Sequence, residues 1–557
     1  MPCAAISLDS SVVPDAIRYF VGNRVEPCLR YLLVAAVFSL FSMACSMGSE
    51  SVRTRQGLVQ GTTDSDVRVF KGVPFAAPPV GPLRWRPPQP AVPWPRVLRA
   101  NAFKPMCMTS APAVPGGEME EVSEDCLYLN IWTPARLPAH KLPVMVYIYG
   151  GALRAGSASS SVYWGDKLVQ KGVITVNLSY RVGSFGFLSH PELSRESGYG
   201  ASGNYGIMDM IAALQWVQQN ISAFGGDPGN VTVFGQSAGS FGLGYLTASP
   251  LAKGLFHRGI GQTGADMLPI GQGMMLPRDA EASGIRFAEK LGAGSIRAMR
   301  RLPADKILSA DAQWPMNAQG KIKPGTMAVL DGHVFLQTMY ETLEKGGQND
   351  VPLLIGYNAD EGANLLAEPL DGAAFVESVR KQYGALADEV LKLYPPSPSD
   401  VAVRSQRRLL RDNWYGWAIW SWARLQSRTG KGKVYFYNFS HLTNFPEDSP
   451  LRAMGAGHGF ELVYTFGHAG YLPEPASRAD TAMVETVSSY WTNFAKQGNP
   501  NGPGLPQWPE FTEHDPRVMN LGEPLQARMI DPADLAGLRL QDRYAIAQRM
   551  LEGSEGQ

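Results

Sequence analysis

Short, near-continuous apolar runs recur along the chain, separated by stretches with a helical period. Leu142–Tyr149 reads Leu-Pro-Val-Met-Val-Tyr-Ile-Tyr, Val173–Leu178 reads Val-Ile-Thr-Val-Asn-Leu, and Val231–Phe234 reads Val-Thr-Val-Phe. Runs of this kind, without polar alternation, are strands covered on both faces, as in a parallel sheet. Between the second and third runs, 207–224 places Ile211, Leu214 and Val217 on one helical face. Strand, helix, strand in this order predicts a wound α/β sheet. Glu124–Trp132, Gly259–Gln262 and Pro352–Tyr357 read as further strands. Upstream, 52–69 reads as a hairpin turning near Asp64-Ser65-Asp66. The proline-rich 70–85 reads as an extended, pre-ordered loop, because proline removes a donor and restricts its neighbour. Residues 108–123 are polar and read as a surface loop. Trp414, Trp417 and Trp420, near Tyr415, read as a helix facing the core or lining a pocket.

The third run leads into Gly235-Gln236-Ser237-Ala238-Gly239, and Phe241, Tyr245 and Leu246 follow at helical spacing. Strand, tight glycine-flanked turn and helix are the context that makes Gly-x-Ser-x-Gly a nucleophile elbow. A serine there sits in a sparsely populated backbone region at a cost of about 1–3 kcal/mol. The turn lifts the Ser237 hydroxyl above the sheet and aims the Ala238 N–H at the oxygen of whatever Ser237 attacks. A serine nucleophile needs a base and an orienting acid. After the strand at 352–357 come two adjacent carboxylates, Asp360 and Glu361, and chemistry alone does not choose between them. Downstream, His458 is flanked by Gly457 and Gly459, whereas His441, His468 and His514 lack that setting and read as surface or structural. The Gly150-Gly151-Ala152-Leu153 turn after the first apolar run leaves backbone N–H groups free for an oxyanion, or is an ordinary tight turn.

Composition narrows the rest. The 557 residues are 45% hydrophobic, enough for a sizeable core. Lys plus Arg and Asp plus Glu number 50 each, with no basic stripe, so nucleic-acid binding has no support. Motifs for metal or phosphate binding do not occur, so no cofactor is expected. Arg30, the apolar run Tyr31–Phe41, and small Ser42 and Ala44 read as a secretory signal, with an uncleaved anchor as the alternative. Residues 1–44 thus form an N-terminal extension and signal peptide, and the protein is expected to be exported, periplasmic or secreted. Cleavage after Ala44 would leave Cys45 first, the place of a lipid anchor. Of the five cysteines, Cys107 and Cys126 are then the pair in the body, and in an exported protein they are expected to bond.

Longer segments carry a family resemblance. PPVGPLRWRPPQP (78–90), EDCLYLNIW (124–132), YGGAL (149–153), SYRVGSFGFLS (179–189) and the stretch from Ser202 to Gly239 appear in one order, followed by NADEG (358–362), GAGHGFELVYTFG (455–467) and YWTNFAKQGNPN (490–501). Together they resemble the type-B carboxylesterase family of the α/β-hydrolase fold, which includes para-nitrobenzyl esterases, animal carboxylesterases and cholinesterases. The resemblance implies a large, mostly parallel sheet flanked by helices, with helical and loop insertions around the active site, and 45–557 as one domain. It implies a serine esterase acting on small-molecule esters through an acyl-enzyme, with no protein partner. Hydrolysis of carbamates, amides or lactones by the same triad is the nearer alternative, and a non-catalytic binding protein on this fold the more distant one. The implied catalytic residues are Ser237, Glu361 and His458, with Gly151, Ala152 and Ala238 supplying the oxyanion hole. Arg84 with Glu124 and Arg181 with Asp209 match the family's buried ion pairs. Three positions depart from the usual pattern: Ala152 replaces a glycine, Gln236 a glutamate and Thr263 a serine. In cholinesterases a tryptophan between the cysteines matching Cys107 and Cys126 holds the ammonium. Here 108–125 contains no aromatic residue and Gln236 is neutral, so neutral esters are expected to be preferred.

Overall fold

The computed structural model describes residues 51–112, 117–270, 272–312, 327–366 and 368–555. The signal segment and Cys45 lie outside the described residues. By its contacts, Val52–Gln557 forms one compact unit.

The apolar runs become the middle of an 11-stranded sheet. In chain order its strands are β1 (Thr62–Asp64), β2 (Val67–Pro74), β3 (Tyr128–Pro134), β4 (Leu142–Ile148), β5 (Ile174–Leu178), β6 (Gly226–Gln236), β7 (Arg258–Gln262), β8 (Leu353–Asn358), β9 (Val434–Phe439), β10 (Arg517–Leu521) and β11 (Gln526–Met529). Their spatial order is β11-β10-β9-β8-β7-β6-β4-β5-β3-β2-β1. From β10 to β5 every neighbouring pair is parallel. The flanking pairs at each end are antiparallel. The central strands are covered on both faces: Val144 to Ile148 and Val231, Val233 and Phe234 are all fully buried. This explains their unbroken hydrophobicity, each such side chain contributing roughly 1.5–3 kcal/mol on burial.

The structure adjusts several sequence boundaries. The proline-rich segment expected to be a loop begins as strand, since β2 runs to Pro74 on the edge of β3. Its tail buries Trp85, whose Nε1 donates to the Ser184 carbonyl at 2.9 Å. The helix expected to reach Phe224 is α1 (Tyr205–Asn220) followed by a tighter 3₁₀ turn, Ile221–Phe224. Gly225, at φ 88°, ends it in the left-handed region that glycine enters without cost. Helix α2 (Ala238–Ala248) leaves the end of β6.

Between β8 and β9 the chain inserts helices Gly372–Tyr383, Ala387–Leu393 and Ser399–Arg411, then a π-turn at Asp412–Gly416 and helix α3 (Trp417–Thr429). In α3 Trp417 and Trp420 pack in the core, while Trp414 is half-buried in the π-turn. Cys107 and Cys126 are bonded, tying the short strand pair at 106–107 and 122–123 to the start of β3. Arg84 and Glu124 form a two-pronged pair at 2.6 Å, as do Arg181 and Asp209 at 2.8 and 2.7 Å. Removing one partner from either would strand a buried charge, a cost of about 3–5 kcal/mol.

Candidate active site

Ser237 stands between β6 and α2 at φ 54° and ψ −125°. The flanking glycines are there for space. A Cβ on Gly235 would lie 2.4 Å from the carbonyl of Gly239, and one on Gly239 would lie 1.9 Å from the Ile148 oxygen. The Ser237 N–H donates to the Gln262 carbonyl at 2.9 Å, which ties the turn to β7. Ala238 opens α2, so its N–H is one of the helix's unpaired donors and lies at the positive end of the helix dipole.

Beside this turn, β4 is followed by Tyr149, whose ring stacks on Tyr180 at 4.5 Å between centroids. Each phenol donates to the other residue's carbonyl, at 2.9 and 3.0 Å, which fixes where the next residues start. Gly150 follows directly against the elbow, where a Cβ would come within 3.0 Å of the Ser237 Cβ. Gly151, Ala152 and Leu153 then take φ values of 110°, 56° and 59°. Gly151 turns its carbonyl inward to accept from the Arg154 and Ala155 N–H groups. Among the described residues no backbone carbonyl accepts from the N–H of Gly151 or Ala152, and both residues are exposed. Successive N–H groups in such a turn form a concavity that suits an anion.

The two adjacent carboxylates after β8 have different jobs. Asp360 is exposed and pins the later loop by accepting from the Ala456 N–H at 2.9 Å. Glu361 is fully buried, and its Oε2 lies 2.5 Å from Nδ1 of His458. Its other oxygen accepts from the Thr263 hydroxyl at 2.6 Å and from the Asn358 N–H at 2.8 Å. Three donors thus hold this carboxylate, the two on Oε1 keeping it in place for the imidazole. The histidine's Nε2 lies 3.3 Å from the amide nitrogen of Gln236, the residue before Ser237. Asn364 brackets the histidine backbone, accepting from its N–H at 2.9 Å and donating to its carbonyl at 3.1 Å. Burial works against charge on the ring, yet the charge and hydrogen bond of Glu361, with Glu461 behind, hold His458 above the ordinary histidine pKa.

The other downstream histidines lie elsewhere. His441 pairs with Asp480 at 2.7 Å, His468 with the Trp164 carbonyl at 2.8 Å, and His514 is exposed.

Residues 48–536 match the carboxylesterase family. Fumonisin B1 esterase of Sphingopyxis macrogoltabida is 37% identical over 84% of this chain and 86% of that protein. Liver carboxylesterase of Sus scrofa is 34% identical over 87% and 92%. The chain belongs to the carboxylesterase family. It is a carboxylic ester hydrolase. A solved PNB esterase structure covers 88% of this chain and 100% of its own, with a TM-score of 0.76 and 33% identity, so the fold is that of the α/β hydrolases.

Several residues around the site of this carboxylesterase carry no motif that names them. Tyr415 stacks on the His458 ring at 5.0 Å and 27°. It is presented by the π-turn, which Asp412 anchors by accepting from Arg411 and Tyr394, both at 2.7 Å. Extra-wide helical turns of this kind often mark functional positions, and the aromatic cluster Trp414-Tyr415 was the available signal. Glu461 is buried one turn past His458. It accepts from Asn358 Nδ2 at 2.6 Å and from Gln262 Nε2 at 3.3 Å. Burial, then the charge of Glu361, pushes its pKa up to about 7. It lies inside the recognised glycine-histidine segment, but nothing local distinguishes it from a surface glutamate.

Proposed function

We propose that this carboxylesterase hydrolyses neutral small-molecule esters through an acyl-enzyme on Ser237. The observation that carries the reading is the buried Glu361 gripping Nδ1 of His458 at 2.5 Å while the ring's other nitrogen faces the elbow. With its hydrogen on Nδ1, the imidazole offers Nε2 as base. Ser237 Oγ bonds to the ester carbonyl carbon and gives its proton to Nε2. The carbonyl oxygen becomes an oxyanion, held by the N–H groups of Gly151, Ala152 and Ala238. Donors of this kind are each worth about 10²–10³ in kcat. Collapse breaks the bond to the alcohol oxygen, which takes the proton from Nε2. Water then repeats the sequence on the acyl group, releasing the acid and freeing Ser237. Glu361 holds the ring in its tautomer and stabilises the imidazolium, and the Thr263 hydroxyl holds Glu361.

The preference for neutral esters is supported by the neutral Gln236 beside the histidine and by a 108–125 segment without aromatic residues. Export is supported by the apolar segment after Arg30 and by a disulfide in the body of the chain, a bond that persists in oxidising compartments. In that reading 45–557 is the mature single domain, and Cys45 is the residue open to a lipid anchor.

The test uses p-nitrophenyl esters of graded chain length, with fumonisin B1 added because a relative is named for it. Wild type should show a burst of p-nitrophenol and a trapped acyl group on the Ser237 peptide. Ser237→Ala should lose about 10⁶ in kcat. Turnover in that variant comparable with wild type overturns the mechanism.

A further inference from the structure

Gln236 is the last residue of β6 and is buried. Its amide nitrogen, 3.3 Å from Nε2 of His458, stands where the proposed mechanism needs the Ser237 hydroxyl to donate. Because Nδ1 is committed to Glu361, the neutral ring carries a lone pair on Nε2, and the amide N–H is the donor to it. Among the described residues the Ser237 hydroxyl makes no hydrogen bond in this arrangement. The groups facing the imidazole come from four places. Glu361 lies on its Nδ1 edge, Glu461 follows it in its own loop, the Tyr415 phenol ring covers one face, and Gln236 with Ser237 comes from the elbow. Two of these are buried carboxyl groups, and both favour the imidazolium.

We propose that Gln236 is a positioning residue that caps the unprotonated Nε2 of His458 and so keeps the base neutral against the two carboxylates behind it. In the observed orientation the amide donates through its NH₂ to the lone pair of the neutral ring, and the imidazolium, with a hydrogen on Nε2, has no lone pair to accept it. A carboxylate at the same place could only accept, and its charge would add to those of Glu361 and Glu461, so that the base would be charged, and idle, over more of the neutral range. The chain thereby keeps a competent base at lower pH than a glutamate in this position would allow. Ser237 displaces the amide when substrate draws its hydroxyl towards the carbonyl carbon.

The inference rests on the triad reading, and the experiment separates the two. The pH profile of kcat/KM is measured for wild type, Gln236→Glu, Gln236→Met and His458→Ala between about pH 5 and pH 9, on a neutral p-nitrophenyl ester. Gln236→Glu should move the acid limb to higher pH by about one unit, a roughly tenfold greater loss on the acid side than on the alkaline plateau. Gln236→Met, which fills the same space without a donor, should move it in the same direction by less. A residue that served only packing would lower the plateau in Gln236→Met without moving the limb. An acid limb unchanged in both Gln236 variants overturns the proposal. Should Gln236→Glu not fold, the shift or its absence in Gln236→Met decides alone. If His458→Ala keeps the wild-type profile, the triad reading falls. If it abolishes turnover while the Gln236 variants titrate like wild type, only the role of Gln236 falls.

Discussion

Replacing Glu461 by glutamine should stabilise the protein above neutral pH and leave it slightly less stable in acid. The carboxyl is 1% exposed, and burial followed by the nearby charge of Glu361 pushes its pKa from 4.5 to about 7. A displacement of that size corresponds to about 3 kcal/mol. In the unfolded chain the group loses its proton near its ordinary value; in the folded protein it keeps it until about pH 7. Across that window the native state holds the extra proton, so stability falls as pH rises and levels off above the folded pKa. Glutamine never ionises and escapes the loss. It has one acceptor oxygen where the carboxylate has two. The bond from Asn358 at 2.6 Å can be kept, but the longer one from Gln262 is given up, costing about 1 kcal/mol. The net change is a gain of about 2 kcal/mol at alkaline pH, turning to a deficit of about 1 kcal/mol in acid. His458 acts in the same direction, since its raised pKa contributes stability below the ordinary histidine value that is lost as pH rises through the folded one. Both proteins carry His458, so the difference between them reports Glu461 first. Differential scanning fluorimetry on both, in matched buffers from about pH 4.5 to 8.5, should show the Tm difference climbing by a few degrees. The acid limb of kcat/KM should move to lower pH, because one of the charges holding His458 up is gone. A Tm difference that is flat or falls with pH refutes the reasoning.

Thr263→Val keeps the shape but removes the donor to a buried charge. It should cost about 1–3 kcal/mol and lower kcat, while Thr263→Ser, which keeps the hydroxyl, should stay near wild type; urea unfolding and steady-state kinetics check both. The double replacement of Cys107 and Cys126 by serine opens a loop of 19 residues in sequence separation and should lower stability by about 3 kcal/mol; unchanged denaturation midpoints with and without reductant would contradict it. Butyrylthiocholine should be a poorer substrate by kcat/KM than a neutral butyrate thioester. A tenfold or greater advantage for the choline ester would show an ammonium site that 108–125 does not reveal, a conclusion from the roughly 1 kcal/mol scale of one such contact.

The elbow is the part of the site most legible in one dimension. Its strand, its paired glycines and its helix lie within a few consecutive residues, and the steric reason for Gly235 is local, since a Cβ there would meet the backbone of Gly239, whereas Gly239 is required by the Ile148 carbonyl of the neighbouring strand. The parallel sheet was legible for a similar reason, since a strand covered on both faces needs apolar residues at every position, as Val144 to Ile148 show. The boundaries read less well where the backbone tightens within one periodic run, as it does at Ile221–Phe224 after α1. Other features arise only when distant segments meet. Asp360 and Glu361 are neighbours with the same chemistry, and what separates them is that β7 brings Thr263 to one while the other faces solvent. Tyr415 and the amide of Gln236 meet His458 from two elements far apart in the chain. A side chain's pKa and its hydrogen-bond partners depend on the groups packed within a few ångströms of it. Sequence alone determined the chemistry available at each position; the packing of β6, β7, β8 and the inserted π-turn decided which of those groups share one imidazole.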